Sequence, residues 1–326
     1  MAKRLVSGIQ PTGVLHIGNY LGAIKQWVEL QDDYDAYFFI VDYHALTQRP
    51  KAAELRQNVL STAAMLVALG IDPKSASLFV QSQVPEHAEL CWLLMSLTSV
   101  GALSRMTQYK EKSDRHGQNA GLFAYPVLMA ADILIYRPEI VPVGEDQAQH
   151  VELTRDIVET LNNLYGQTLA QPKVQLNKAG RVMALNNPTK KMSKSVPGSA
   201  ITLLDEPSVV EQTLKRAVTD SDPNYSQMSP GVANLFLLLE NFSEPETYLH
   251  FEEQQKKGTL RYTELKEQLT EDINAFLAPV QKTYHALMDD PAKIRRLLEE
   301  GAGKARPVAQ ETLLVVKKAL GLNLND

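Results

Sequence analysis

Cysteine is almost missing from this chain, which has one thiol, Cys91, in 326 residues. A single cysteine excludes an internal disulfide and any CxxC metal site, and it points to a reducing compartment. Long apolar runs are missing as well: no stretch approaches the roughly 18 residues of a membrane span. The most apolar segments, Tyr37 to Val41 and Val127 to Tyr136, are short or bounded and broken by Asp42 and Asp132. The first residues, Met1 to Gly8, carry two basic side chains but no apolar run behind them, so they do not read as a secretory signal. These absences lead to the expectation of a soluble, cytoplasmic protein without membrane contact. An excess of positive charge is missing too. Lys and Arg number 33 against 38 Asp and Glu, a net charge of −5, which excludes coating of nucleic acid through bulk charge but leaves room for a local basic patch. There is no GxGxxG turn, no Walker A loop, no HExxH pair and no GxSxG elbow, and the seven histidines lack metal-ligand spacing. A nicotinamide enzyme, a P-loop ATPase and a serine hydrolase are disfavoured, and no metal ligands are expected.

The remainder is ordinary globular composition, 44% hydrophobic and 22% charged, with 17 Gly and 17 Pro. The length suggests about two domains. In the first half, short apolar runs alternate with helical periodicity. Arg4 to Ser7, Ala36 to Val41, Ala76 to Val80 and Ile140 to Val143 read as strands. Gly18 to Leu30, Ala52 to Leu69, Glu86 to Ser99, Leu122 to Tyr136 and Gln147 to Tyr165 read as helices, two of them stopped by Gly70 and Gly166. This alternation predicts an α/β fold with a parallel sheet. From Leu203 onward the pattern is helical, punctuated by Pro207, Pro223, Pro230, Pro245, Pro279, Pro291 and Pro307. The expected division is therefore an α/β domain over 1–188 and an all-α domain over 189–326.

Three segments carry chemistry. Gly8 to Tyr20 runs from a strand through a Gly-containing turn into a helix opening at Gly18. Helix starts offer free N–H groups and a positive dipole end to an anion, and His16 and Asn19 add side-chain donors. An ordinary βα turn is the plain alternative. Pro188 to Ser195 places three lysines and two serines on a loop between the two halves, suited to a triphosphate, although most short basic runs are solvated surface. In Gly121 to Leu134, helical spacing puts Tyr125, Met129 and Asp132 on one face at i, i+4 and i+7. A carboxylate buried there needs a partner, either a nearby protein group or an N–H or O–H of a ligand.

Taken together these segments are specific. His16-Ile17-Gly18-Asn19 resembles the HIGH element of class I aminoacyl-tRNA synthetases, and Lys191 to Ser195 matches that family's KMSKS element letter for letter, in the right order. Gly121 to Leu134, Ile140 to His150, Val41 to His44, Arg105 to Ser113, Ala217 to Ser221 and Gly231 closely resemble the bacterial-type tryptophanyl-tRNA synthetases. The resemblance covers essentially the whole chain and is strongest from Ile9 to Ser195.

The resemblance implies a Rossmann-like catalytic domain followed by a helical anticodon-binding domain, with tryptophan, ATP carrying Mg²⁺, and tRNA(Trp) as partners of a homodimer. It implies that Asp132 accepts the indole N–H, that Tyr125 and Gln147 hold the ammonium and carboxylate end, and that Met129, His44, Ile133, Val141 and Val143 line the ring slot. ATP is implied at Gln10, Pro11, Thr12, Gly18 and Asn19, its ribose near Gly144, Glu145 and Asp146, and its adenine at the Val182 backbone. Lys112, Lys191 and Lys194 reach the phosphates beside His16, and Met192, Ser193 and Ser195 shape the loop. The chain departs from the usual pattern at His16 (often Thr), Val6 (often Phe), Tyr43 (often Gln) and Val196-Pro197. Basic residues for the tRNA cluster at Lys110, Lys112 and Arg115, at Lys190 to Lys194, and along Lys293, Arg295, Arg296, Lys304, Arg306, Lys317 and Lys318. The rival readings are a tyrosine-specific relative, against which Met129 with Asp132 speaks, a small-molecule adenylyltransferase, and a catalytically silent RNA-binding paralogue.

Overall fold

The computed structural model describes residues 3–106, 119–143, 147–176, 182–219 and 228–323. The strands are β1 (Arg4–Ile9), β2 (Asp35–Ile40), β3 (Ala76–Val80), β4 (Ile140–Val143), β5 (Lys173–Leu176), β6 (Met183–Ala184) and β7 (Asn187–Lys191). The longer helices are α1 (Ala52–Ala68), α2 (Glu86–Met95), α3 (Ala120–Leu134), α4 (Ala148–Tyr165), α5 (Pro207–Lys215), α6 (Pro230–Phe242), α7 (Pro245–Lys257), α8 (Tyr262–Met288) and α9 (Pro291–Ala319).

The chain forms two compact units, each assembled from separate stretches. One is Met1–Gly13, Trp27–Asn177 and Asp290–Asp326; the other is Val14–Gln26 and Lys178–Asp289. The expected boundary at 188/189 thus falls inside the second unit. A linear reading of composition sees neither a short N-terminal insertion nor a C-terminal return.

The first unit holds a five-stranded sheet in the order β3-β2-β1-β4-β5, with all of its pairings parallel. Burial on both faces explains why β2 and β3 read as unbroken apolar runs rather than alternating ones. Trp27 stacks on Phe38 with ring centroids 4.9 Å apart, and Tyr37 on Tyr136 at 4.5 Å. The order reverses between β1 and β4, and in open α/β sheets that switch point opens a crevice at the carboxyl ends of the strands. Gln10 to Thr12 follow β1, Val41 to His44 follow β2, Gln81 follows β3 and Gln147 follows β4 at that end.

Helix α9 belongs to this unit. Its Ala302, Ala305, Ala309, Leu313 and Val316 join the core of Phe39, Phe79 and Tyr136. Gly301 lies directly on β3: a Cβ there would stand 1.9 Å from the Leu78 carbonyl oxygen. Three of the basic residues expected to serve RNA are engaged with this unit. Lys304 donates to the Pro73 carbonyl, Arg306 pairs with Glu86 at 3.0 Å, and Lys317 with Glu89 at 2.8 Å.

In the second unit β6 and β7 form an antiparallel pair, and α5, α6 and α7 each start with Pro in the first turn, where its missing N–H costs nothing. The stretch Val14–Gln26 is woven in. Ile17 N–H donates to Ile201 O at 3.0 Å and Leu203 N–H to Leu15 O at 2.8 Å, while Tyr20 packs on Phe276 at 4.9 Å. Gly18 to Leu30, expected as one helix, is a helical run whose middle, Tyr20–Ile24, is wound as a π-helix, a form that collects at functional sites. Two prolines expected as helix punctuation, Pro279 and Pro307, lie inside α8 and α9. Burial along such long helices outweighs the hydrogen bond each proline removes.

Candidate active site

Helix α3 presents Tyr125, Met129 and Asp132 as its periodicity predicts, and its N-cap Asn119 accepts from Leu122 N–H. Asp132 is 4% exposed. Its Oδ2 lies 2.8 Å from His44 Nε2, and its Oδ1 lies 2.6 Å from Gln81 Nε2 and 2.7 Å from His87 Nδ1. Burial alone would raise this carboxyl's pKa. The hydrogen bonds and charges of His44 and His87 outweigh burial and hold it down at about 2. Asp132 is therefore ionised and can only accept. An ionised carboxylate has about four acceptor sites; both on Oδ1 are taken and one on Oδ2, so Oδ2 keeps one lone pair for a further N–H.

On the same helix, Met129 and Ile133 pack with Val141 and Val151, and His44 meets Tyr125 edge-on at 6.1 Å. The Tyr125 hydroxyl lies 2.9 Å from His150 Nε2. Burial pushes its pKa up to about 12, so the phenol keeps its proton beside the imidazole. Gln147 precedes the first turn of α4 and is half-buried. Val143 ends β4. Gln10 and Pro11 are half-buried and buried, and Thr12 is exposed, with its N–H turned back to Gln10 O at 2.9 Å.

The second unit brings the other two motifs together. His16 N–H donates to Asn19 Oδ1 at 3.0 Å, closing the first turn of the Ile17–Asn19 helix. The His16 side chain is buried, and its pKa falls to about 4, first because of burial and then because of the charges of Lys194 and Lys191. Gly18 is required by contact: a Cβ there would stand 2.9 Å from His16 Nδ1 and 3.3 Å from Met192 Sδ. Lys191 ends β7 instead of lying on a loop. Met192 is buried, and its N–H donates to Val182 O at 3.1 Å. Ser193 N–H donates to Ser199 Oγ, and the Ser193 and Ser195 hydroxyls are 2.8 Å apart. Lys194 Nζ donates to the Val14 carbonyl at 3.3 Å, and partial burial lowers its pKa. Imidazole, helix start and two lysines thus form one cationic cradle within a single unit, the arrangement a polyphosphate needs.

Lys112, Gly144, Glu145 and Asp146 lie outside the described residues. Sequence reasoning missed Gln81, His87, His150 and Tyr136. Each is a lone polar residue without local spacing to its partner, so only the fold brings Gln81 and His87 to Asp132, Tyr136 to His87 and His150 to Tyr125. Among the described residues no helix is long and apolar enough to cross a membrane.

Relatives bear on the same regions. A family model of tRNA synthetases class I (W and Y) matches residues 2–278. The tryptophan–tRNA ligase of Caldanaerobacter subterraneus subsp. tengcongensis is 46% identical over 331 residues, covering 99% of this chain and 100% of that one. The crystal structure of the Campylobacter jejuni tryptophanyl-tRNA synthetase, complexed with ADP and tryptophan, is 36% identical with a TM-score of 0.86, covering 98% of this chain and 99% of that one. That of Mycoplasma pneumoniae is 35% identical with a TM-score of 0.88, covering 99% of each. Identity sustained from end to end, with the His16 to Asn19 and Lys191 to Ser195 motifs folded into one unit, establishes what the motif resemblance implied: this chain belongs to the tryptophan- and tyrosine-type family of class I tRNA synthetases.

Proposed function

We propose that the protein is a tryptophan–tRNA ligase, which joins L-tryptophan to ATP as tryptophanyl-adenylate and then transfers the tryptophanyl group to the 3′ end of tRNA(Trp). Asp132 carries the specificity. It is a buried, ionised carboxylate with one acceptor site left on Oδ2, on the same helix as the apolar Met129 and Ile133, which pack with Val141. An indole, flat and apolar with a single N–H, complements that surface. Phenylalanine leaves the lone pair unpaired, at a cost of roughly 1–3 kcal/mol; tyrosine carries its hydroxyl elsewhere. His44 and Val143 complete the slot in this reading, and Tyr125 and Gln147 take the amino-acid end.

The chemistry needs alignment more than acid–base work. A tryptophan carboxylate oxygen attacks the α-phosphorus of ATP, the bond to the bridging oxygen breaks, and pyrophosphate departs with the electron pair. No proton has to move first, so charge stabilisation on the departing group is the main requirement. Lys191 and Lys194, with Lys112, supply it. His16 stays neutral, as its lowered pKa favours, and contributes as a hydrogen-bonding group without adding charge. Gln10, Pro11, Thr12, Gly18 and Asn19 bracket the nucleotide, Gly144 to Asp146 hold its ribose, and Val182 meets adenine. Met192, Ser193 and Ser195 set the loop that presents the lysines. Magnesium arrives on the ATP phosphates. We assign the active form to a cytoplasmic homodimer, with tRNA on its basic clusters and the helical region reading the anticodon.

The test is amino-acid-dependent exchange of labelled pyrophosphate into ATP without tRNA. Exchange with tryptophan alone supports the assignment. Exchange with tyrosine keeps the reaction and overturns the specificity, and absence of exchange in a folded sample that binds ATP overturns the assignment.

A further inference from the structure

One buried chain of hydrogen bonds behind Asp132 has no part in the mechanism above. His87, the second residue of α2, is wholly buried. Its Nδ1 is 2.7 Å from Asp132 Oδ1, and its Nε2 is 2.7 Å from the Tyr136 hydroxyl. The Asp132 end fixes the direction of the first bond. Asp132 accepts only, so Nδ1 must carry the proton. Tyr136 is buried and faces the Asp132 anion, and burial first and then that charge raise its pKa, so its hydroxyl keeps its proton and pairs with Nε2. His87 thereby presents an Nδ1 proton to Asp132, and its ring is packed among Phe39, Phe79 and Tyr136 with centroids 5.2, 6.2 and 5.4 Å away. The ring has no room to swing.

This arrangement has a consequence for recognition. His87 and Gln81 together fill Oδ1, which leaves the open acceptor on Oδ2. Without the His87 donor, a ligand N–H would compete with a freer carboxylate offering several orientations. We propose that His87, oriented by Tyr136, is a positioning residue for specificity: it locks the Asp132 carboxylate so that the pocket selects side chains bearing one N–H over isosteres that lack it. This inference rests on the reading of Asp132 as the indole acceptor.

The experiment compares kcat/KM in pyrophosphate exchange for tryptophan and for 3-(benzothiophen-3-yl)alanine, which has the same outline with sulfur in place of N–H. The proteins are the full-length wild type, Asp132→Ala, His87→Leu, His87→Asn and Tyr136→Phe. Wild type should favour tryptophan strongly. His87→Leu should cut that preference about tenfold or more, chiefly through tryptophan, because a site built around a hydrogen bond loses discrimination when its acceptor is misplaced. His87→Asn, whose amide N–H stands near the place of Nδ1, should keep the preference within about threefold, and Tyr136→Phe should fall between. An equal loss for both substrates in His87→Leu, with the ratio unchanged, overturns the inference and leaves His87 a packing residue. Should His87→Leu fail to fold, an unchanged ratio in Tyr136→Phe overturns it in the same way. If Asp132→Ala abolishes the preference while His87→Leu and Tyr136→Phe retain it, the inference alone fails. If wild type shows no preference, the Asp132 reading fails and this inference with it.

Discussion

Lys194 and His16 lie in the same cradle but do different work, and two predictions separate them. Lys194 reaches the Val14 carbonyl in this structure and in the proposed reaction turns to the departing pyrophosphate. Lys194→Ala should slow tryptophan activation about 100-fold while changing tryptophan affinity less than about threefold. Single-turnover rates with equilibrium binding check this, and a loss confined to binding sinks the role. His16 should titrate near pH 4 by NMR and remain neutral throughout the working range. The linkage sign follows from a folded pKa below the unfolded value of 6.5. The unfolded chain takes the proton first, so this group's contribution to stability declines as pH falls from 6.5 towards 4. Urea melts of wild type and His16→Gln across that window should converge at the upper end and diverge at the lower, with wild type losing more.

Element boundaries tracked the sequence where periodicity was long or apolar. The expected β3 and β4 coincide with Ala76–Val80 and Ile140–Val143, and helices stop before Gly70 and Gly166, whose positive φ suits glycine. β5, β6 and β7 were not legible. Lys173–Leu176 alternates but has only four residues, Asn187–Lys191 is polar, and Met183–Ala184 has two residues, so none produces a period long enough for a local reading to detect. Their strand character comes from the partner strand. Helix α9 illustrates the same dependence through packing. Its Gly301 sits on the Leu78 backbone, and its Arg306 and Gln310 both donate to Glu86 Oε1, at 3.0 and 2.9 Å, seating the first turn of α2 and hence His87. Gly301→Ala should lower the melting temperature by about 5 °C, since overpacking against backbone has little room to relax. Calorimetry on the full chain tests it, and an unchanged transition would show that α9 can shift off β3 at no cost.

For the whole molecule, the division into units sets a further expectation. A chain ending at Pro188 would match the α/β half in composition but would lack α9, whose Ala305, Ala309 and Val316 are wholly buried in the first unit. It should be poorly soluble and readily proteolysed, because a large apolar face of the sheet core would meet water. A well-dispersed NMR spectrum from that fragment would refute this. What the sequence alone determined were features written in neighbouring residues: the Lys191 to Ser195 motif, the turn at His16 to Asn19, the α3 face of Tyr125, Met129 and Asp132, and the alternation that specifies a parallel sheet. Backbone periodicity and motif chemistry are local, so one strand of text carries them. Only the tertiary structure decided what surrounds Asp132, because His44, Gln81 and His87 come from separate elements. It also decided that residues 14–26 fold with the lysine motif and that α9 returns to the sheet. Hydrogen-bond partners and close packing depend on distance in space, and a buried carboxylate takes whichever donors the fold delivers to it.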